Sequence, residues 1–277
     1  MNFLYSLLDF LQAEMEAPVS YGLWHICFLV LTAAVSVLLV WRLRDASDKT
    51  LRRLLLGVWI LMAVSEIYKQ VVYSVTLSEG TMDWSYQWYA FPFQFCSTPL
   101  YVLPFAVFLK DGRARDAVMT FLATFSLFGG LAVMLYPGDV FIGMIGINVQ
   151  TMLHHGAQVA VGVLVAACYR KRWSWKRLGG GVAVFALLVA AAMLLNLGVH
   201  ALLVANGLGD HIFNMFFISP YHECTLPVLS AVDDLVPYPV FLAIYLTGFS
   251  LIAAVILAAE KGIMALAGRR RAHGGNG

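Results

Sequence analysis

Seven long apolar runs, each broken by only a few polar residues, occupy approximately 22–41, 52–75, 90–109, 116–135, 141–168, 177–204 and 238–263. About twenty apolar residues in a helix cross the hydrocarbon core of a bilayer, and each run has that length. The pattern predicts an all-α, polytopic membrane protein with seven transmembrane helices over 22–263. Ahead of them, MNFLYSLLDFLQAEMEAP has neither a basic leader nor a small-residue cleavage site. Residues 1–21 are therefore expected to form a short amphipathic helix at the outer interface rather than a signal peptide. Residues 264–277 form a basic cytoplasmic tail, and its GRRRAHGGNG stretch is expected to be disordered.

Charge sets the orientation. Seventeen of the eighteen Lys and Arg residues follow the first, third, fifth and seventh runs, in groups such as Arg42 to Arg53, Lys110 to Arg115 and Arg170 to Arg177. The other connectors hold no Lys or Arg but carry Glu79, Asp83, Asp139, Asp210, Glu223, Asp233 and Asp234. Basic loops stay in the cytoplasm, so the N-terminus is expected outside and the C-terminus inside. Trp84, Trp88, Trp173 and Trp175 suit the aromatic belts at the two interfaces. The formal net charge of +2 is thus a matter of topology, and nothing points to nucleic acid. With 61% hydrophobic and 12% charged residues in 277, little chain remains for a soluble domain. A retinal protein needs a lysine deep in the last run, and residues 238–260 contain none.

The eighteenth cation, Lys69, lies inside the second run, three residues after Glu66. Ionisable groups in hydrocarbon are costly and tend to be kept for function. At that spacing the two can neutralise each other on one helix, as a structural pair or as part of a site. In the expected orientation nearly all chemically capable groups share the outer half of the bundle: His25, Glu66, Lys69, Cys96, His154, His155, Asn196 and His200. The third run opens FPFQFCSTPLYVLP. Pro92 suits a first helical turn, whereas Pro99 and Pro104 are expected mid-helix, freeing the carbonyls of Phe95 and Leu100 and bending the helix beside Cys96. Gln94, Ser97 and Thr98 flank that cysteine, which is either a cavity-wall thiol or an ordinary small filler. Cys224 lies on the outer side, where a bridge to Cys96 is chemically permitted. His154 and His155 point about 100° apart on their helix, so only one can face a given partner best. His200, His211, His222, Glu223 and Cys224 are ligand-type residues without a standard zinc spacing, so no metal site is assigned.

Together these residues resemble the YwaF-like bacterial membrane proteins, which are related to the eukaryotic transmembrane protein 164 family. The likeness runs along nearly the whole chain. It rests on YGLWHICFLVL in the first run, Glu66 in the second, FPFQFC at the start of the third, LHHGAQVAVG in the fifth and VDDLVPYPVF before the seventh. Gln94 stands where the family commonly has a histidine, His154 is an additional histidine, and the connector around 205–225 differs from the family's shorter segment. The resemblance implies a multi-pass protein of the bacterial plasma membrane that transfers or hydrolyses fatty-acyl groups, with a membrane phospholipid or fatty-acyl substrate. It also implies Cys96 as nucleophile and His155 as base; His154, Glu66, Lys69, Gln94 and His25, near them in the outer half, are the supporting candidates. A thiol with an unperturbed pKa of about 8.5 needs such a base to react at neutral pH. No nucleotide or metal motif is present, so no cofactor is implied. The alternative is a small-solute or proton-coupled transporter using Glu66, Lys69 and the histidines, but the inner halves of the runs are nearly bare of ionisable groups.

Reporter cysteines placed in 79–86 and in 170–176 are expected to react with impermeant reagents from opposite sides of the membrane. Labelling of both from one side would overturn the predicted topology.

Overall fold

The structure, a computed structural model, describes residues 3–138 and 140–274. Asp139, counted above among the acidic connector residues, lies outside them, as do 275–277 of the tail and the side chains of Arg269, Arg270 and Arg271. In chain order the helices are α1 (Phe3–Leu11), α2 (Leu23–Leu43), α3 (Asp48–Val72), α4 (Pro99–Phe108), α5 (Arg113–Phe121), α6 (Leu127–Leu135), α7 (Ile145–Cys168), α8 (Trp175–Ala205), α9 (Leu229–Asp233) and α10 (Tyr238–Gly274). The last of these continues through much of the stretch expected to be disordered. A π turn, Leu122–Ser126, joins α5 to α6 in one continuous rod. Among the described residues six helices are long and apolar enough to cross a membrane: α2, α3, the α5–α6 rod, α7, α8 and Tyr238–Ile263 of α10.

The expected third span departs from the pattern. Of 90–109 only Phe95–Phe108 forms the short apolar helix, a 3-10 turn at Phe95–Ser97 leading into α4. Fourteen helical residues rise about 21 Å, against a hydrocarbon core of about 30 Å. Prolines are the cause. Phe91 is extended (φ −49°, ψ 135°), the conformation that a following proline imposes, so Pro92 precedes the helix rather than starting it. Pro99 occupies the first turn of α4, where its missing N–H costs nothing. The helix therefore begins beside Cys96 instead of bending there.

Both proline-freed carbonyls find donors. Thr98 Oγ1 donates to the Phe95 carbonyl at 2.7 Å. Trp59 Nε1 donates to the Leu100 carbonyl at 2.8 Å, across from α3. The other end of α4 is capped by cations. Arg52 donates to the carbonyls of Val107 and Leu109, and Arg115 Nε to that of Ala106 at 2.9 Å. Asp48 holds both arginines, with contacts of 2.6 Å to Arg52 and 2.7 Å to Arg115, and Asp111 completes the knot. Positive charge at a helix C-terminus also opposes the negative end of the helix dipole. Arg115, grouped by sequence with the topological cations, is only 1% exposed.

The α5–α6 rod and α7 form the buried centre, with α8 against α5 and α2 against α7. Close approach there depends on glycine. A Cβ at Gly130 would lie 3.0 Å from the His155 carbonyl, and one at Gly156 would lie 2.6 Å from Thr32 Oγ1 on α2. At the end of the bundle opposite the charge knot, the chain after α3 forms a small hairpin, β1 (Val75–Ser78) and β2 (Thr81–Trp84), which the all-helical expectation lacked. Its two-residue turn, Glu79 and Gly80, has positive φ at both positions, as a tight hairpin requires. Helix α1 is tied to this end by Tyr68 Oη donating to the Leu11 carbonyl at 2.7 Å and by Gln12 Nε2 donating to that of Val75 at 2.8 Å.

Replacing Arg115 by methionine leaves the Ala106 carbonyl without its side-chain donor and takes the buried cation from between Asp48 and Asp111, and is expected to cost about 1–3 kcal/mol. The exposed Arg113→Ala is expected to stay within about 0.5 kcal/mol. Thermal unfolding in detergent checks the contrast, and equal effects would mean that the knot is not a stabilising element.

Candidate functional site

A cavity of ≈ 1600 Å³ opens at the hairpin end of the bundle. Small-molecule sites usually measure about 300–1,000 Å³, so this one suits a larger and more apolar occupant. Glu66, Lys69, Gln94, Cys96, His154 and His155 all line it. His25 does not line it, nor do Asn196 and His200 from the same set of outer-half groups. His25 is fully buried and clamps α2 to the end of α6: Nδ1 accepts from the Tyr21 N–H at 2.8 Å, and Nε2 donates to the Met134 carbonyl at 2.8 Å. Both ring nitrogens are thereby occupied, which makes it a structural residue.

Glu66 and Lys69 form the expected interior pair, Nζ to Oε1 at 2.8 Å. Gln70 Nε2 donates to the same carboxylate oxygen at 2.7 Å and to the Ala90 carbonyl at 2.9 Å, while Tyr86 Oη donates to Gln70 Oε1 at 2.8 Å. This chain fixes the irregular segment before α4 to α3. Glu66 Oε2 is buried without a partner.

The two histidines divide their contacts. His154 Nε2 meets the Cys96 carbonyl at 3.2 Å, and His155 Nδ1 meets the Thr151 carbonyl at 2.7 Å. A carbonyl only accepts, so each of those nitrogens carries the proton. The lone pairs are then on His154 Nδ1 and His155 Nε2, and both atoms are buried without a hydrogen-bond partner among the described residues. No hydrogen bond joins the Cys96 thiol to either ring among the described residues. The direct tie runs from His154 to the backbone of residue 96.

Gln94 serves a loop that the sequence did not reveal. The connector after α8 folds back into the bundle, and its 3-10 turn Met215–Phe217 places Phe216 and Phe217 at φ 59° and 58°. Such backbone is strained for bulky residues and persists only where its surroundings hold it. Gln94 Nε2 donates to the Asn214 carbonyl and Oε1 accepts from the Phe216 N–H, both at 3.0 Å. Asn196 brackets Met215, accepting from its N–H at 2.7 Å and donating to its carbonyl at 3.0 Å. Asn214 ties the loop internally to Ser219 and Glu223. Gln94 and Asn196, amides within apolar runs, were the available signal, since buried amides need backbone or ligand partners.

The outer histidines do not gather into a metal centre. His200 stacks on Tyr221 with ring centroids 3.6 Å apart, and His222 Nε2 accepts from the Phe213 N–H at 3.4 Å. Burial, followed by the neighbouring His200, lowers the His222 pKa. Among the described residues no group of three or more His, Cys, Asp or Glu could hold an ion. All four cysteines are free, so Cys96 and Cys224 are not bridged.

The fold and cavity define a polytopic helical membrane protein with an interior chamber at one end of its bundle. The chain belongs to the TMEM164 family, whose sequence profile matches residues 20–259. No significant match is found to individual curated proteins or to solved structures.

Glu66→Leu or Lys69→Leu alone leaves an unpaired buried charge and is expected to cost about 3–5 kcal/mol, while the double replacement restores much of the loss. Thermal unfolding of the two single variants and the double variant checks this. Additive losses would mean that the two residues do not act as a pair.

Proposed function

We propose that this protein acts on the acyl groups of membrane lipids, as an acyltransferase or lipid hydrolase, with Cys96 as nucleophile and His155 as base. The observation that carries this reading is the presence of a free thiol and an unpartnered imidazole nitrogen on the wall of one large cavity within the bundle. In the proposed topology seven segments cross the bilayer, α4 completing its crossing with the irregular chain before it. The N-terminus then lies outside, and the chamber opens toward the outer leaflet.

The local geometry supports the assignment of roles. His154 uses its Nε2 proton on the Cys96 carbonyl, which places its lone pair on the other side of the ring. It holds the nucleophile's backbone in place. His155 is held through Nδ1, which leaves Nε2, the tip of the ring, free to accept a proton. Cys96 sits just ahead of the first turn of α4, and the positive end of a helix dipole favours negative charge on sulfur and on a developing oxyanion. Gln94 and Thr98 donate to backbone carbonyls, so Lys69 is the nearer fit for further oxyanion stabilisation.

The chemistry is a thioester relay. His155 Nε2 takes the thiol proton as sulfur attacks the acyl carbonyl carbon. The tetrahedral intermediate collapses by expelling the lipid alkoxide, which receives that proton and leaves as an alcohol. An acceptor hydroxyl or water then attacks the thioester, giving its proton to His155, which returns it to the departing sulfur.

A thiol-reactive lipid electrophile is expected to modify Cys96, and Cys96→Ala should abolish both this label and acyl turnover by the reconstituted protein. His155→Ala should slow turnover by about 10²–10⁴-fold while leaving the protein folded. Undiminished turnover in Cys96→Ala would overturn the reading.

A further inference from the structure

We infer that the acyl chain of a bilayer lipid reaches this cavity sideways, through the seam between α6 and α10, and that Gly248 keeps the seam open. The inference rests on the lipid-directed reading above and adds the route and the residue that sets it.

The two walls of the seam are matching rows. Phe128 and Ala132 on α6 and Tyr136 just beyond it, and Ile244, Gly248 and Ile252 on α10, all line the cavity at spacings of four. Residues so spaced lie above one another on one helix face, and a row spanning eight residues covers about 12 Å. The two helices run in opposite directions, so Tyr136 and Ile244 lie toward the hairpin end of their rows and Phe128 and Ile252 lie deeper in. The deep end is shut: Phe128 meets Phe249 edge-on, with ring centroids 5.8 Å apart. The other end is open, with Tyr136 67% and Ile244 38% exposed. Val228, also on the cavity wall, is 79% exposed there. This rim is apolar, which suits hydrocarbon rather than water. Between the ends of the two rows, Ala132 and Gly248 are their smallest members. Helix α10 is held to the bundle mainly by the π turn and α8, and it touches α6 sparsely.

Gly248 differs from the glycines that bring helices together. A Cβ at Gly130, Gly156 or Gly162 would collide with a neighbour, whereas at Gly248, beyond the backbone of its own helix, none of the described residues comes within 4 Å of one. Packing therefore does not require glycine here. A larger residue would project into the seam without displacing the fold.

The test uses the full chain in phospholipid vesicles containing a phospholipid with a diazirine at the end of one acyl chain. Photolysis of the wild type should cross-link the interior peptide of α7 around His154, as well as the lipid-facing surface of α2. Gly248→Phe and Ala132→Phe should each lower the α7 cross-link at least tenfold and leave the α2 cross-link unchanged, which reports an intact fold. Gly57→Phe, at an equally open glycine that does not line the cavity, should leave both intact. Cys96→Ala should also retain both, because chain entrance precedes any chemistry. An α7 cross-link that survives both seam variants, or is missing from the wild type, overturns the proposed route. A seam-dependent cross-link alongside undiminished turnover in Cys96→Ala would uphold the route and sink the nucleophile assignment.

Discussion

Inside hydrocarbon no water is available to a peptide group, so each N–H and C=O must find its partner within the protein. That requirement explains what surrounds the cavity. Among the irregular segments at this end of the bundle are the chain before α4 and the loop around Met215–Phe217. Each is met by side chains that do little else. Thr98 and Trp59 serve the carbonyls freed by proline, Gln70 holds the Ala90 carbonyl, and Gln94 and Asn196 hold the strained loop. The void is walled in part by irregular segments that these side chains support.

The same view separates polar residues that hold structure from those left free. His25, Gln94, Asn196 and Arg115 use their hydrogen-bonding groups on backbone or on fixed counter-charges. Glu66 Oε2, His154 Nδ1 and His155 Nε2 have no such partner and belong to residues on the cavity wall. An unmet buried acceptor costs about 1–3 kcal/mol, so a folded protein keeps several around one chamber only where water or a ligand meets them.

Much of this architecture was legible in the sequence. Apolar run length located six helices to within a few residues, and the spacing of Glu66 and Lys69 foretold their pairing. The third run misled because hydropathy measures transfer from water and is blind to backbone geometry. Pro92 and Pro99 both had a place in the reading, but a helix that starts at Pro99 needs the irregular chain before it held by Gln70 and Gln94, and those are tertiary contacts. Arg115 misled for the opposite reason. Its position in a basic cluster is a topological signal, yet its burial depends on Asp48, sixty-seven residues earlier in the chain. The site was legible as a set of residues at a common depth, while the roles of His154 and His25 awaited the identity of the carbonyls they meet.

The π turn between α5 and α6 has a geometric consequence. Each helical residue advances the chain by about 100° around the axis. Taking one residue out of Leu122–Ser126 would return the stretch to a regular ladder and rotate everything beyond it by about that angle. Gly130 would swing away from His155, and Phe128 and Ala132 would leave the chamber wall. The extra residue acts as a phase shifter: α5 keeps its face toward α8 while the same rod, a few residues later, turns a different face toward α7 and the void.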